Sequence, residues 1–494
     1  MNAAWVYLTI ALYAVVGMLV AVFARRGLAR EGQTMIDFFL ANRTLSGFVN
    51  ALTYSATTYS AFMMVGLAGY AYQGGVGALG FELIYLSGLL LAAFFGPRFW
   101  LVGKERGYVT TAELLGDRYE NRAVAAIAAL ASLVFLIPYS AVQLMGVGYL
   151  MSGLSKGAIT FEIGVIIATI LAIAWAWIGG LRSVAWTDAL QALVMLVTAI
   201  LVLLFVVYGD LGGFGALFGR LQTEYPKWLQ VPGPGFFKFQ TFLGLTLPWF
   251  FFCLSNPQVS QRLFVPASLS GMRKMLTGFL IFGFIYTLIS VLWGLSTRVM
   301  LPNLPKADMA TPALLGSPAV PAVLALIAMA GITAAAISTI DSILLTLSSM
   351  FARDVYRNLK PDVPEAQQVQ FGKWIIPIIS ILAMLFAFLK LDLIATLSVA
   401  SSAGLLVMVP AIFGAFFWKR GTAAGAAASM VAGGVLVAAL QFGNLKPLGI
   451  WPGVWGIIIT TLVFLVVSLV TVPPKGGAAY VDRINAALQE KNAV

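Results

Sequence analysis

Thirteen stretches of this chain are apolar and long enough to cross a lipid bilayer, and the segments joining them are short. Within hydrocarbon, every backbone N–H and C=O must find a partner inside the protein. Runs of about 20 apolar residues therefore dictate transmembrane α-helices. The expected spans are 5–24, 46–72, 77–102, 123–153, 158–178, 185–208, 238–256, 273–300, 318–352, 371–390, 391–417, 422–442 and 452–472, numbered here 1 to 13. The reading is an all-α polytopic membrane protein in which 1–494 form a single transmembrane domain ending in a cytoplasmic tail, 473–494. Composition agrees, with 60% hydrophobic and only 10% charged residues. The N-terminal run lacks a basic leader and a small-residue cleavage site, so it reads as span 1 rather than as a removed signal peptide.

The chain has no histidine and one cysteine, Cys253. That excludes disulfide frameworks, Cys/His metal sites and histidine-based catalytic triads, and an enzyme is not expected. A net charge of +11 would suit nucleic acid, but the basic residues lie in short loops between apolar spans. Membrane lipid and topology account for them better. Of the 30 Lys and Arg, 22 fall on one side, among them Arg26, Arg30, Arg118, Arg262, Arg353 and Arg420. The positive-inside rule makes that side cytoplasmic, with the N-terminus outside and the C-terminus inside the cell membrane. No nucleic-acid or obligate protein partner is expected.

Polar residues inside spans are few, and they cluster. Span 9 carries Ser338, Thr339, Asp341, Ser342 and Thr346. At about 100° per residue, Ala335, Ser338, Thr339 and Ser342 share one face with Asp341 at its border. A carboxylate at membrane depth costs a few kcal/mol or more, so it calls for a cation, a proton or a buried partner. Oxygen donors without sulfur or imidazole suit a hard ion. Glu82, in span 3, is the other isolated acid; solute contact, proton carriage and structural pairing are all open to it.

Spans 2 and 7 look interrupted. Span 2 packs Thr53, Ser55, Thr57, Thr58 and Ser60 around its middle, while span 7 carries Pro248 and ends in Asn256-Pro257. They lie five spans apart, so 46–208 and 238–417 form two five-helix halves that enter from opposite sides. An inverted repeat with paired broken helices points to a secondary transporter with a midplane site.

At this point the motifs resemble a known family. Residues 172–191, IAWAWIGGLRSVAWTDALQ, resemble the signature of the sodium/solute symporter family. The Trp186-Thr187-Asp188 and Gln191 downstream are most like its bacterial sodium/proline-type branch. Ala335 to Thr339, Ala56 to Gly69, and Trp249 through Asn256-Pro257 to Gln261-Arg262 match in order. The resemblance implies a leucine-transporter-like inverted repeat, alternating access and Na+ as the co-transported ion. It implies a principal Na+ site made by the carbonyls of Ala56, Tyr59 and Ala335 with the hydroxyls of Ser338 and Thr339. A second Na+ site found in some members implies Asp188 with the hydroxyls of Ser338 and Ser342, and with Asp341, which stands where serine is common, as a further ligand or a protonated neighbour.

For the organic solute, the resemblance and the local residues together imply Thr58, Phe62, Gly66, Glu82, Tyr139, Trp249, Phe252 and Cys253. Thr58 replaces the aspartate of proline-type members, Phe62 replaces a tryptophan and Cys253 replaces a tyrosine. Trp249 stands where sugar transporters carry asparagine. The expectation is inward Na+ movement coupled to uptake of a small amino acid such as proline, or of a monocarboxylate. Coupling to H+ through Asp341 or Glu82, transport of sugar or pantothenate, and, more distantly, an ion channel are the competing readings.

Overall fold

A computed structural model describes residues 2–25 and 34–492; Arg26 and Arg30, two of the charges used for orientation, lie outside them. The described residues are helical with no strand. Among the described residues, ten helices are long and apolar enough to cross a membrane. A shorter apolar helix, Phe161–Trp177, and the two interrupted segments join them.

Burial sorts the spans into centre and rim. The most apolar window of span 11 is 89% buried and that of span 9 is 72% buried, against 22% for span 1. Span 9 (Ala322–Met350) packs along spans 5 and 6, while span 8 (Leu269–Met300) runs along both halves of span 2. Spans 12 (Ala423–Phe442) and 13 (Pro452–Val470) pair chiefly with each other. Exposed Leu, Ile, Val and Phe on the rim helices are what a lipid-facing surface requires.

Three bends position the site. Span 2 is α-helical over Gly47–Thr58, with Ser46 Oγ accepting from the Val49 amide at 3.3 Å as its N-cap. The helix stops because Tyr59 leaves helical geometry at φ −88°, ψ 85°. The chain resumes as a π-helical turn, Phe62–Leu67, and then an α-helix, Ala68–Gly74. Span 7 is helical over Phe239–Phe250, breaks at Phe251, and breaks again at Asn256 (φ −89°, ψ 110°) before Pro257–Ser260. Helical turns thus continue past the expected end at 256, through Gln261–Phe264. Spans 5 and 6 are not separated by a loop. One helical run, Phe161–Leu204, bends at Gly180, whose φ of 56° and ψ of −176° belong to glycine alone. An added Cβ there would lie 2.9 Å from the Phe38 carbonyl oxygen.

Candidate cation and solute sites

The break in span 2 leaves carbonyls without backbone partners, as any helix C-terminus does. Span 9 supplies hydroxyls to meet them. Ser338 Oγ donates to the Ala56 carbonyl at 3.0 Å and also lies 3.0 Å from the Ala335 carbonyl. Thr339 Oγ1 lies 3.2 Å from the Ala56 carbonyl and 3.0 Å from that of Thr57. Ala56, Ala335, Ser338 and Thr339 are buried to within 1%. Span 9 has small residues here, which lets the two helices approach closely. The result is a compact group of neutral oxygens in which each hydroxyl can rotate its proton away and offer lone pairs to a hard cation. Tyr59, whose carbonyl is the fifth expected ligand, sits at the break; its ring stacks on Phe279 of span 8 at 4.9 Å. The Thr57 carbonyl joins this oxygen group, and the sequence reading did not include it.

A second constellation lies one turn further along span 9. Asp188 Oδ2 accepts from Thr53 Oγ1 at 2.6 Å. Ser342 Oγ and Thr57 Oγ1 are 2.9 Å apart. Between these groups stands Arg262, assigned to a loop by its neighbours in sequence but only 4% exposed. Its Nη2 donates to Ser342 Oγ at 2.6 Å and to Thr57 Oγ1 at 3.1 Å, and lies 3.9 Å from Asp188 Oδ2. Gln261 beside it donates to the Val109 carbonyl at 2.8 Å and to Ser349 Oγ at 3.0 Å, and accepts from Thr346 Oγ1 at 2.6 Å. Asp341 is buried, and its Oδ1 takes no hydrogen bond. In the sequence Arg262 was marked by its place just past the helix break at Asn256-Pro257 and by its inclusion in the matching motif that ends at Gln261-Arg262.

The expected solute residues divide. Phe62, Trp249, Phe252 and Tyr139 converge, with ring centroids 5.0 Å apart for Phe62–Trp249, 5.1 Å for Trp249–Phe252 and 6.0 Å for Tyr139–Phe252. Phe81 and Tyr85 complete the group. Glu82 is buried on the same helix as Phe81 and Tyr85, and its Oε2 has no hydrogen-bond partner. The remaining three face elsewhere. Thr58 Oγ1 donates back to the Tyr54 carbonyl at 2.8 Å, Cys253 Sγ to the Gly88 carbonyl at 3.3 Å, and Gly66 faces Ile394 and Ala395 of span 11.

The connection between spans 8 and 9 closes over the other end of span 2. Thr311 Oγ1 donates to the Met64 carbonyl, and Gly69 lies against the carbonyl of Ala307. Asp308 Oδ2 accepts from the Ile394 amide at 3.0 Å at the head of span 11. Burial pushes its carboxyl up to about 7, the Ile394 hydrogen bond acting in the opposite sense.

An interrupted span 2 closing a buried oxygen cage with span 9, beside an aromatic cluster that the interrupted span 7 helps to build, is the arrangement expected of an ion-coupled secondary transporter. Residues 38–433 match the sequence model of the Sodium:solute symporter family, so the chain belongs to that family. It is 28% identical over 469 residues to the sodium/pantothenate symporter of Escherichia coli K12, covering 93% of this chain and 95% of that protein. It is 26% identical over 506 residues to a sodium/proline symporter of Staphylococcus aureus, covering 96% and 94%. In fold it is similar to a Na+-coupled sialic acid symporter, with a TM-score of 0.78 at 21% identity over 95% of this chain and 99% of that one. The nucleobase-cation-symport-1 transporter Mhp1 is more distant, with a TM-score of 0.55 at 12% identity over 90% and 98%. The chain is therefore a multi-pass membrane transporter rather than an enzyme, and Na+ is its co-transported ion.

Proposed function

We propose that the protein moves Na+ inward together with a small amino acid or monocarboxylate, by alternating access between halves 46–208 and 238–417. The observation that carries this reading is the contact of Ser338 and Thr339 with the freed carbonyls of Ala56 and Thr57. Ala56, Tyr59, Ala335, Ser338 and Thr339 form the Na+ site. It joins the broken span 2 to span 9, so a cation there links the two halves. A cage without net charge holds Na+ weakly enough to release it into a low-sodium cytoplasm.

Trp249, Phe62, Phe252 and Tyr139 take the apolar part of the solute. A sugar would leave several hydroxyls unpaired against these rings, at about 1–3 kcal/mol each. In proteoliposomes, an inward Na+ gradient should drive saturable uptake of proline, pantothenate, lactate or acetate, and K+ should not replace Na+. Uptake confined to hexoses, or driven by a proton gradient without Na+, would overturn the assignment.

Phe161–Trp177 and the two interrupted segments also cross the membrane in this reading, bringing the spans to thirteen with the N-terminus outside and the C-terminus inside. Arg262 and Arg118 are buried and no longer count as loop charges, yet the cytoplasmic excess of Lys and Arg persists without them. An impermeant reagent should label a tag at residue 2, and not one at residue 494, in intact cells; the reverse pattern would invert the topology.

A further inference from the structure

An arginine on a lipid-facing surface calls for an anion, because a lone charge beside hydrocarbon is costly. Arg98 is such a residue. It lies near the C-terminal end of span 3, in the helix Leu89–Arg106, and is half-buried. Its guanidinium sits over the rings of Phe94 and Phe417, 4.4 and 4.8 Å from their centroids, and both rings are exposed. Nη1 donates to the Phe94 carbonyl at 2.7 Å, within its own helix, while Nε has no partner. Among the described residues no acid pairs with Arg98.

Phe417 also walls an apolar groove of about 400 Å³. Phe251 and Phe413, with ring centroids 6.3 Å apart, stand toward its inner end, and Ile457 and Leu465 of span 13 form the facing wall. Phe417 and Leu465 are each 40% exposed, so the groove opens toward lipid. It follows the helix Val409–Phe417, a length of about 12 Å at 1.5 Å per residue, against roughly 15 Å for one leaflet of hydrocarbon. At the Phe417 end a second cation, Arg420, is exposed and donates to the Leu469 carbonyl of span 13 at 2.6 Å. Lys419, beside it in sequence, is already paired with Asp482 at 2.6 Å. In the topology proposed above this end is cytoplasmic, where the leaflet carries anionic lipid.

We propose that the groove holds one anionic phospholipid of the inner leaflet. An acyl chain lies along Phe413, Phe417 and Leu465, and Arg98 and Arg420 hold the headgroup phosphate from two sides. Guanidinium presents a fork of N–H donors that matches phosphate oxygens, and the phosphate supplies the acceptor that Arg98 Nε lacks. A zwitterionic lipid offers the same chain and phosphate, but its own ammonium offsets the attraction.

The test is native mass spectrometry of the purified full-length protein in detergent, titrated with dioleoyl phosphatidylglycerol or dioleoyl phosphatidylcholine. The wild type should retain one phosphatidylglycerol and bind it at least about fivefold more tightly than phosphatidylcholine. Arg98→Gln should weaken phosphatidylglycerol about fivefold and phosphatidylcholine little, whereas Arg98→Lys should keep most of the preference. Arg420→Gln, a change on the exposed surface, should lower the same ratio. Thr461→Trp places a large ring in the groove, leaves both arginines in place, and should weaken both lipids. A merely structural Arg98 would lower the thermal stability of Arg98→Gln and leave the ratio between the lipids unchanged, which would overturn the proposal. So would equal binding of the two lipids by the wild type, or phosphatidylglycerol binding that survives Thr461→Trp intact.

Discussion

Replacing Ser338 and Thr339 together with alanine should raise the Na+ concentration for half-maximal uptake on the order of a hundredfold. In the proposed site each hydroxyl donates lone pairs to the ion, and a hydrogen-bond-strength contact with a charged group contributes about 1.5–3 kcal/mol. Two such losses exceed the roughly 1.4 kcal/mol that separates one decade of affinity from the next. The same hydroxyls also meet the Ala56 and Thr57 carbonyls, so some loss of thermal stability should accompany the effect. Sodium titration of uptake, with the amount of protein in the membrane measured in parallel, checks the expectation. A double variant with wild-type sodium dependence would move the ion elsewhere.

The second large effect is expected at Trp249. Its indole packs on Phe62, Phe81 and Phe252, with centroids 5.0, 5.7 and 5.1 Å away, and is 3% exposed. Truncating a buried aromatic to alanine typically costs about 3–5 kcal/mol when the surroundings cannot collapse. If the solute's apolar part lies on this ring, Trp249→Ala should weaken solute affinity by roughly tenfold or more, about 1.4 kcal/mol. Na+ binding at the proposed site between spans 2 and 9, which includes none of the span 7 rings, should change little. Solute and Na+ titrations of the same preparation separate the two. Equal loss of both would make Trp249 a structural residue.

What the sequence revealed and what it hid follow a physical division. Apolar length and local chain breakers are short-range properties, so the spans, the interrupted helices and the serine–threonine pair of span 9 were legible. The seat of the span 2 break was less so, because Thr53 to Ser60 offer many hydroxyls and only tertiary packing selects Tyr59 as the point where the helix ends. The burial of Arg262 was hidden for a different reason. Its neighbours in sequence include Arg273 and Lys274, which argue for a basic loop, whereas its partners Thr57, Asp188 and Ser342 lie far away along the chain. A buried charge is recognisable only through such partners. Thr58, Gly66 and Cys253 illustrate the converse. They fall within matching motifs, yet their contacts are with their own helix or a neighbouring one.

The bend at Gly180 has a mechanical meaning. Spans 5 and 6 meet at a single residue, so their joined ends cannot part by more than about one Cα–Cα step of 3.8 Å. A glycine pivot transmits torque while forbidding slip. The arm that carries Asp188 can swing about this corner, with Phe38 as its bearing surface, but it cannot piston along its own axis relative to span 5. Motion of this arm relative to span 5 is thereby channelled into rotation about the φ and ψ of Gly180.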